Sequence, residues 1–467
     1  MNEEKIVYPY IPNSVGAVKA QMMKEVGVDD IMELYAEIPD HLQFKGKMNL
    51  PEPILDEYSI KRHVERLLNK NGNCSEYLNF LGAGCAQHYV PAVCDEINGR
   101  GEFLTAYSGF FWGDHGKWQA WFEFASLMGE LLDMDHLSVP QYDGAQAVAS
   151  SLRMASRING RKEVLLPNTM NPETLMVARN YLKGATGSEI TSTMIKVDSK
   201  TGLLDLEDLR SKISDATAAV FIENPSYLGV IEVQAEEIGK IARENGAEFV
   251  VYADPISLGA IAPPAHYGAT IACGDLHSLG LHMQCGGGQA GFIATHDDME
   301  HASQFKDFVV SLVDTVVEGE YGFGLVLPMN LSYLAREEAK EYTGTSAGLW
   351  AITAAVYLSL MGPKGMQEIA QTIMQKSQYA AKKITELDGV ELRFSSPFFK
   401  EFVVSFDKTG KSVSEINKSL LKHKIFGGKD ISKEFPEFGQ NALYCVTEIM
   451  TKEDIDRLIS ALAEVTR

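Results

Sequence analysis

Short apolar segments alternate with amphipathic segments along the chain between about residues 120 and 300. The amphipathic segment 235–245 places Ile238 and Ile241 on one helical face, and Gly246, a residue type that commonly ends helices, follows it. Six apolar segments have the length of buried parallel strands and are bounded by turn residues: 163–166, 193–197, 219–223, 249–254, 271–275 and 291–295. Such alternation predicts right-handed βαβ units, and hence an α/β fold with a large, doubly wound, mostly parallel sheet.

The first part of the chain has the features of an extended arm, which we predict over residues 1–75. Ser14 is a candidate N-cap for a helix that ends near Gly27. The proline-rich stretch 48–53 favours extended backbone, and a charged helix is predicted over 60–69. Arms of this kind often wrap a partner subunit instead of adding to their own core.

The remainder is predicted to form a large α/β domain over 76–325, followed by a helical connection and a small α+β domain over 326–467. The dipeptide Gly362-Pro363 should interrupt the helical connection. The last helix should begin at Thr451, with Asp454 as its capping-box partner. The strands of the small domain are predicted near 390–394, 402–406 and 442–447, around a helix over 412–423.

The charge balance argues against nucleic acid or an anionic membrane as a partner, because 63 acidic residues outnumber 42 basic ones and the net charge is −21. No apolar run approaches the roughly 18 residues of a transmembrane helix, and the N-terminus lacks a signal-peptide pattern. The six cysteines form no C-x-x-C pair, so no metal site is predicted. Together these features favour a cytoplasmic protein with reduced thiols.

The segment from Asp254 to Ser278 has the layout of a pyridoxal-phosphate (PLP) site without its lysine. In PLP enzymes, an Asp at the end of a buried strand pairs with the pyridine nitrogen, and a later Lys forms the Schiff base. Asp254 occupies the first position, but Ser278 follows His277 where the lysine would stand. Asp254 could instead cap the turn at Pro255, and His277 could be purely structural rather than stacked on a ring. The chain therefore either relies on a partner for its chemistry or is not a catalyst.

Other candidate site residues lie on glycine-rich segments. Asp143, Gly144 and Ala145 precede a helix whose N-terminus could bind a phosphate, although a plain capped helix has the same pattern. A small-residue loop contains His88. A glycine- and aromatic-rich loop contains a further set that could line a pocket or a subunit interface, namely Tyr107, Phe110, Trp112 and His115.

Several longer runs resemble one known family, the subunit 1 (α chain) family of the two-chain P-protein of the glycine cleavage system. This P-protein is an aminomethyl-transferring, decarboxylating glycine dehydrogenase, and the resemblance covers nearly the whole chain. The runs that carry it are Tyr8 with Pro12-Asn13-Ser14, Phe80-Leu81-Gly82-Ala83-Gly84, His88-Tyr89-Val90-Pro91, Thr105-Ala106-Tyr107, Tyr142-Asp143-Gly144-Ala145, Asp254-Pro255-Ile256-Ser257, Ser278-Leu279-Gly280, Gly362-Pro363-Lys364-Gly365, Gly427-Gly428 and Cys445-Val446-Thr447-Glu448.

The resemblance implies a fold-type-I PLP-dependent transferase architecture and an α2β2 heterotetramer. In that family the β subunit supplies the Schiff-base lysine and carries the PLP, so Ser278 is the norm for the α chain. The implied oxidoreductase reaction removes the carboxylate of glycine as CO2 and passes the aminomethyl group to a lipoyl carrier protein. No catalytic residue is then expected in this chain, and the candidates above would line the site or the cofactor.

The loops expected to face the site depart from the family pattern. The stretch Ser108-Gly109-Phe110-Phe111-Trp112-Gly113 replaces a Thr-Pro-Tyr-Gln run, and Tyr342-Thr343-Gly344-Thr345 stands where a Thr-Ser-Asn-Ile run is usual. Two alternatives follow. The chain could belong to a paralogous assembly that acts on a bulkier or methylated amine or amino acid, because aromatic faces attract such cations. It could also be a non-catalytic scaffold or regulator of a PLP-bearing partner.

Overall fold

The computed structural model of the protein describes residues 7–104, 115–184, 189–284, 290–342 and 346–467, except for the side chain of His115. The chain divides into two compact units, Met1–Gly72 and Asn73–Arg467. None of the helices in the described ranges combines the length and the apolar character needed to cross a bilayer.

The helices of these ranges are, in chain order, α1 Gly16–Val26, α2 Glu57–Leu68, α3 Ala92–Asn98, α4 His115–Leu132, α5 Gly144–Asn159, α6 Pro172–Lys183, α7 Leu206–Lys212, α8 Ala235–Glu244, α9 Met299–Ala302, α10 Ser332–Ala335, α11 Gly348–Ile384, α12 Val413–Leu420 and α13 Lys452–Val465. The strands are β1 Leu78–Asn79, β2 His136–Leu137, β3 Glu163–Pro167, β4 Thr191–Ile195, β5 Thr217–Glu223, β6 Glu248–Tyr252, β7 Ile271–Asp275, β8 Gly291–Thr295, β9 Val309–Asp314, β10 Tyr321–Val326, β11 Glu391–Leu392, β12 Glu401–Ser405, β13 Ile425–Phe426, β14 Lys429–Asp430 and β15 Asn441–Cys445.

Helix α1 of the first unit ends as predicted but begins differently. Gly27, with φ +82°, ends the helix in the left-handed region. The N-cap position belongs to Val15, which makes no side-chain cap, so the prediction of Ser14 as the cap is wrong. The Ser14 hydroxyl instead accepts the Tyr8 N–H at 2.9 Å and donates to the Ile11 carbonyl at 2.7 Å, which closes the turn before the helix.

The first unit contains no buried residue among residues 7–72. Helix α2 begins at Glu57, earlier than predicted, because the Asp56 carboxylate accepts the Ser59 N–H at 2.7 Å and caps it there. Large apolar side chains of this unit are strongly exposed, for example Tyr10 at 97%. A segment with this much exposed apolar surface lacks the core that would stabilise it alone.

Within the described ranges, the second unit is built on a seven-stranded sheet with the order β2-β8-β7-β6-β5-β3-β4. Strands β3 to β7 run parallel to one another, whereas β8 is antiparallel to both of its neighbours, β7 and β2. This order confirms the predicted large, mostly parallel sheet. The edge strand β2 was not predicted, because a strand of two residues leaves no periodic pattern.

Both faces of this sheet are covered by helices, as predicted. Leu165 of β3 packs in a core cluster with residues of α4, α8 and α11. Its neighbours Val164 and Leu166 belong to a second cluster with residues of α5 and α6. Successive strand side chains point to opposite faces, so each face gains its own core. Every fully buried leucine of this kind stabilises the fold by about 1.5–3 kcal/mol.

Four of the six strands predicted for the large sheet have different limits in the structure. Strand β3 ends one residue later and β5 begins two residues earlier than predicted, and β4 and β6 also differ. Strand β4 begins at Thr191 instead of residue 193, and its first residues are exposed or half-buried because it lies at the sheet edge. Its Thr-Ser-Thr start therefore lacks the apolar character used for the prediction. Strand β6 ends at Tyr252 instead of Asp254, because Asp254 caps the turn Pro255–Gly259.

The C-terminal part has the predicted α+β character. Helix α11 is interrupted at Gly362, with φ +61° and ψ 179°, directly before Pro363. An antiparallel sheet with the order β11-β12-β15-β14 follows. Thr451 and Asp454 form the predicted capping box at the start of α13.

Two strand pairings of the second unit were not predicted. Strands β9 and β10 form an antiparallel hairpin. Strand β1 pairs in parallel with β13, and Phe80 packs in the core cluster of the C-terminal part. Residues 78–80 are thus attached to the small α+β part, which brings the following loop, 82–90, towards it.

His301 of helix α9 contacts two carboxylates, one on strand β6 and one at the N-cap of its own helix. Its Nε2 donates to Glu248 at 3.0 Å and its Nδ1 donates to Asp298 at 2.8 Å. The hydrogen bond to Glu248, opposed by burial and aided by Asp298, raises the pKa of His301 from 6.5 to about 9. The imidazolium therefore stabilises the fold fully below pH 6.5, and this contribution is lost as the pH rises through about 9.

His301→Gln is expected to lower the free energy of unfolding by about 1–2 kcal/mol near pH 6 and by much less near pH 10, because wild-type His301 is neutral at the higher pH. Urea unfolding at both pH values measures this difference. His136→Gln is the matched control, since the side chain of its partner Asp297 is 81% exposed; it should change stability by less than about 0.5 kcal/mol. An equal loss for His301→Gln at both pH values would contradict the assignment.

Candidate functional site

A cleft lies at the carboxyl ends of the parallel strands β5, β6 and β7, the edge at which open α/β sheets bind ligands. The strand ends contribute Glu223, Tyr252 and Asp275. The wall is completed by Asp254, His277 and Ser278 from the loops after β6 and β7, and by Lys400 and Glu401 at the start of β12. The structure thus brings together the three residues around which the sequence placed a PLP-like site.

Asp254 is bound on both carboxylate oxygens. Its Oδ2 lies 2.6 Å from the Lys400 ammonium, and its Oδ1 accepts the Ser278 hydroxyl at 3.0 Å. Oδ1 also accepts the Ile256 N–H at 3.3 Å, so the capping role weighed from the sequence is present as well. Burial opposes ionisation of Asp254, but the attraction of Lys400 outweighs it and holds the pKa of this carboxyl below its ordinary value.

Lys400 also contacts His88, which is in turn bound to a largely buried carboxylate. Its ammonium lies 3.5 Å from His88 Nε2, and His88 Nδ1 donates to the Glu448 carboxylate at 2.8 Å. The other Glu448 oxygen accepts the Tyr89 N–H at 2.7 Å. Burial would raise the pKa of Glu448, but these bonds keep it below its ordinary value. The predicted site residue His88 therefore contacts the cleft through Lys400.

The N-terminus of α5 is already occupied by two carboxylates of the chain itself. Asp143 caps the helix by accepting the Gln146 N–H at 2.7 Å. The Gly144 N–H donates to Asp275 Oδ2 at 3.1 Å, and the His277 N–H donates to Asp275 Oδ1 at 2.6 Å. These contacts match the capped-helix interpretation of Asp143-Gly144-Ala145, with Ala145 in the first turn.

His277 is buried and neutral. Its Nε2 lies 3.1 Å from the Ala86 carbonyl, to which it donates, and 4.0 Å from the Cys85 sulfur. Burial lowers the pKa of His277 to about 4. Since the ring is bonded to the loop 82–90, this geometry agrees with the structural role weighed for His277.

The cleft is acidic. Burial raises the pKa of both Glu223 and Asp275 to about 7. The Glu223 oxygens accept the N–H groups of Asn171 and Tyr227 at 3.2 and 3.0 Å. Around neutral pH these two carboxyls are partly ionised, and they would repel a phosphate placed between them.

The aromatic loop predicted to line the site falls outside the described residues. This applies to Tyr107, Phe110 and Trp112, and to the side chain of His115. Sequence reasoning missed Lys400 and Asp275 as site residues. Asp275 ends a predicted strand, as Asp254 was predicted to do, and this shared position was a signal that could have revealed it. Lys400 precedes a predicted strand, where lysines are usually solvated.

The residues present do not fit PLP as a cofactor bound by this chain. Ser278 cannot form an imine. The Asp254 carboxylate that would receive the pyridine N–H already binds Lys400, and the Gly144 N–H that would receive the phosphate already binds Asp275. A PLP-dependent step therefore needs another chain to hold the cofactor.

Solved structures of low sequence identity share this fold. The structure of a sphingosine-1-phosphate lyase from Burkholderia pseudomallei K96243 matches with a TM-score of 0.65 at 14% identity, covering 92% of this chain and 94% of that chain. The likeness confirms the predicted fold class, the fold-type-I architecture of PLP-dependent transferases with its large, mostly parallel sheet.

Closer similarities define the family. The glycine cleavage system P-protein family matches residues 9–462. A relative named "Probable glycine dehydrogenase (decarboxylating) subunit 1", from Staphylothermus marinus, is 38% identical over 466 residues, covering 98% of each chain. A crystal structure of glycine decarboxylase (P-protein) in inhibitor-bound form matches with a TM-score of 0.85 at 32% identity, covering 98% of this chain and 100% of that chain. The chain belongs to the glycine cleavage system P-protein family, which confirms the resemblance found in its sequence.

Proposed function

We propose that this chain is the lysine-less subunit 1 of a two-subunit glycine dehydrogenase (decarboxylating). A PLP-bearing subunit 2 holds the cofactor, and the assembly decarboxylates glycine and passes the aminomethyl group to a lipoyl carrier protein. The proposal rests on Ser278, which the family resemblance assigns to the position of the Schiff-base lysine, and whose hydroxyl donates to Asp254 at 3.0 Å. A chain with the fold of a PLP enzyme but without its nucleophile suits a role beside an active partner.

In this assembly, proposed to be an α2β2 heterotetramer, the chain's own residues act by shaping and fixing the surface that faces the partner. The ion pair of Asp254 with Lys400 and the bond of His88 to Glu448 fix the loops around the cleft. The hydrogen bonds of Asp143 and Gly144 fix the start of α5, and Ala145 stands in its first turn. These residues position other groups and do not themselves react.

The N-terminal unit supports the need for a partner. Between residues 7 and 72, no side chain is buried, and the strongly exposed apolar side chains include Tyr10, Phe44, Leu50 and Leu55. Exposed apolar surface on this scale marks an interaction surface. We assign it to contact with subunit 2.

The test is co-expression of this chain with subunit 2, borohydride reduction of the purified complex, and peptide mapping. The reduced cofactor is expected on a lysine of subunit 2 and on no peptide of this chain. The variant Ser278→Ala serves as a matched control and should leave the cofactor content of the complex unchanged. A cofactor label on a peptide of this chain, or the failure of the two chains to form a complex, would overturn the proposal.

A further inference from the structure

The Asp254 carboxylate sits in surroundings that require a positive charge. Only 16% of its side chain is exposed, and an unpaired buried carboxylate would take up a proton or destabilise the fold. Ser278 supplies a hydrogen bond but no charge. Among the described residues, Lys400 is the cation that forms an ion pair with Asp254, at 2.6 Å.

Lys400 reaches Asp254 from a distant part of the fold. Asp254 follows β6 of the large sheet, whereas Lys400 directly precedes β12 of the C-terminal sheet. The Lys400 carbonyl accepts the Val446 N–H at 2.9 Å, and the preceding carbonyl, of Phe399, accepts the Ser377 hydroxyl at 2.6 Å. The backbone on which Lys400 stands is therefore fixed. Its side chain is only 14% exposed, so the ammonium is confined beside Asp254.

We propose that Lys400 is a built-in replacement for a ligand cation at Asp254, and that it acts as a positioning residue. Its ammonium occupies the place at which a protonated ring nitrogen would meet the carboxylate. It thereby ties the C-terminal part to the large sheet and closes the cleft to pyridine and ammonium ligands. The chain then reaches its final arrangement without any cofactor. This inference does not depend on the proposed function.

Two small molecules of nearly the same shape can distinguish an effect of the Lys400 charge from an effect of its packing. The atoms that Lys400→Ala removes, from Cγ to Nζ, correspond to n-propylammonium, and 1-propanol has nearly the same shape without the charge. If Lys400 acts by its charge, n-propylammonium can refill the space beside Asp254, whereas 1-propanol cannot.

The experiment is urea unfolding of the full-length chain and of its Lys400→Ala variant, with and without n-propylammonium. Lys400→Ala is expected to raise the unfolding equilibrium constant about a hundredfold or more. Millimolar n-propylammonium should reverse most of this loss with a saturable dependence, and 1-propanol should not. Lys408→Ala is the matched control, because Lys408 pairs with Glu391 at the surface and both side chains are more than half exposed. It should lose little stability and show no rescue.

A double-mutant cycle keeps the test decisive if Lys400→Ala does not fold. Lys400→Met preserves most of the side-chain volume and leaves Asp254 unpaired, whereas Asp254→Asn with Lys400→Met removes both charges. The unfolding equilibrium constant of the double variant should be at least about tenfold smaller than that of Lys400→Met alone, which means that the double variant is the more stable of the two. Rescue by 1-propanol equal to that by n-propylammonium would overturn the proposal, and so would a double variant no more stable than Lys400→Met.

Discussion

Deletion of residues 1–72 is expected to weaken the binding of this chain to subunit 2 about a hundredfold or more, while residues 73–467 remain folded. The deleted unit buries no side chain among residues 7–72 and exposes large apolar groups such as Tyr10 and Leu55. Such groups contribute most of the binding energy when a partner covers them. The second unit has its own sheet and its own core clusters, so its folding does not need the arm. Calorimetric titration with subunit 2 measures the affinity, and circular dichroism measures the fold.

Point substitutions refine this test. Tyr10→Ser removes one of the most exposed aromatic side chains and should weaken binding about tenfold or more if the ring is an anchor. Lys45→Ser is the matched control in the same unit, because Lys45 and its ion-pair partner Asp40 are both largely exposed, and it should leave the affinity within about threefold. A truncated chain that binds subunit 2 as tightly as the full chain would contradict the role of the arm.

Gly229→Ala is expected to be the most damaging single substitution considered for stability, with a loss of about 4 kcal/mol or more. Gly229 has φ +84°, and a Cβ built there would lie 1.9 Å from the Glu401 carbonyl oxygen and 2.4 Å from its carbon. Both atoms belong to the backbone of β12, directly after Lys400, so neither can move aside without disturbing the Asp254 ion pair. The backbone strain of a left-handed alanine adds about 1–2 kcal/mol.

Gly410→Ala separates these two effects. Gly410 has φ +72°, but nothing lies within 4 Å of a Cβ built there, so only the backbone strain of about 1 kcal/mol remains. Urea unfolding of both variants measures the difference. Equal losses for Gly229→Ala and Gly410→Ala would show that the contact with β12 does not constrain Gly229.

The sequence predicts the sheet well where strands are buried on both faces. Strands β7 and β8 coincide with their predicted limits, because their apolar runs begin and end where the strands do. Strand β4 does not, since its exposed edge position allows polar residues at its start. The hairpin β9–β10 and the pairing of β1 with β13 were missed because partly exposed or very short strands leave little apolar pattern.

The candidate site is predictable only in part. Asp254 and Ser278 were placed together because their segment has the layout of a PLP site, and in the fold they do meet, since the ends of neighbouring parallel strands lie at one edge of a sheet. Lys400 could not be found in this way, because its partner lies in another sheet and the contact depends on tertiary packing. The hydrogen bond of Asp275 to the N-terminus of α5 also depends on tertiary packing. Nothing in the sequence indicates that a carboxylate at one strand end will bind the glycine at the start of this helix.

We expect this chain to work only together with a subunit that holds the cofactor. The most direct measurement is the exchange of labelled bicarbonate into glycine by this chain alone, by subunit 2 alone, and by the two combined with PLP and the lipoyl carrier protein. We expect no exchange by this chain alone and rapid exchange by the combined subunits, at least about a hundredfold above subunit 2 alone. Exchange by this chain alone would contradict the dependence of this chain on a cofactor-bearing subunit. So would an exchange rate of subunit 2 that does not change when this chain is added.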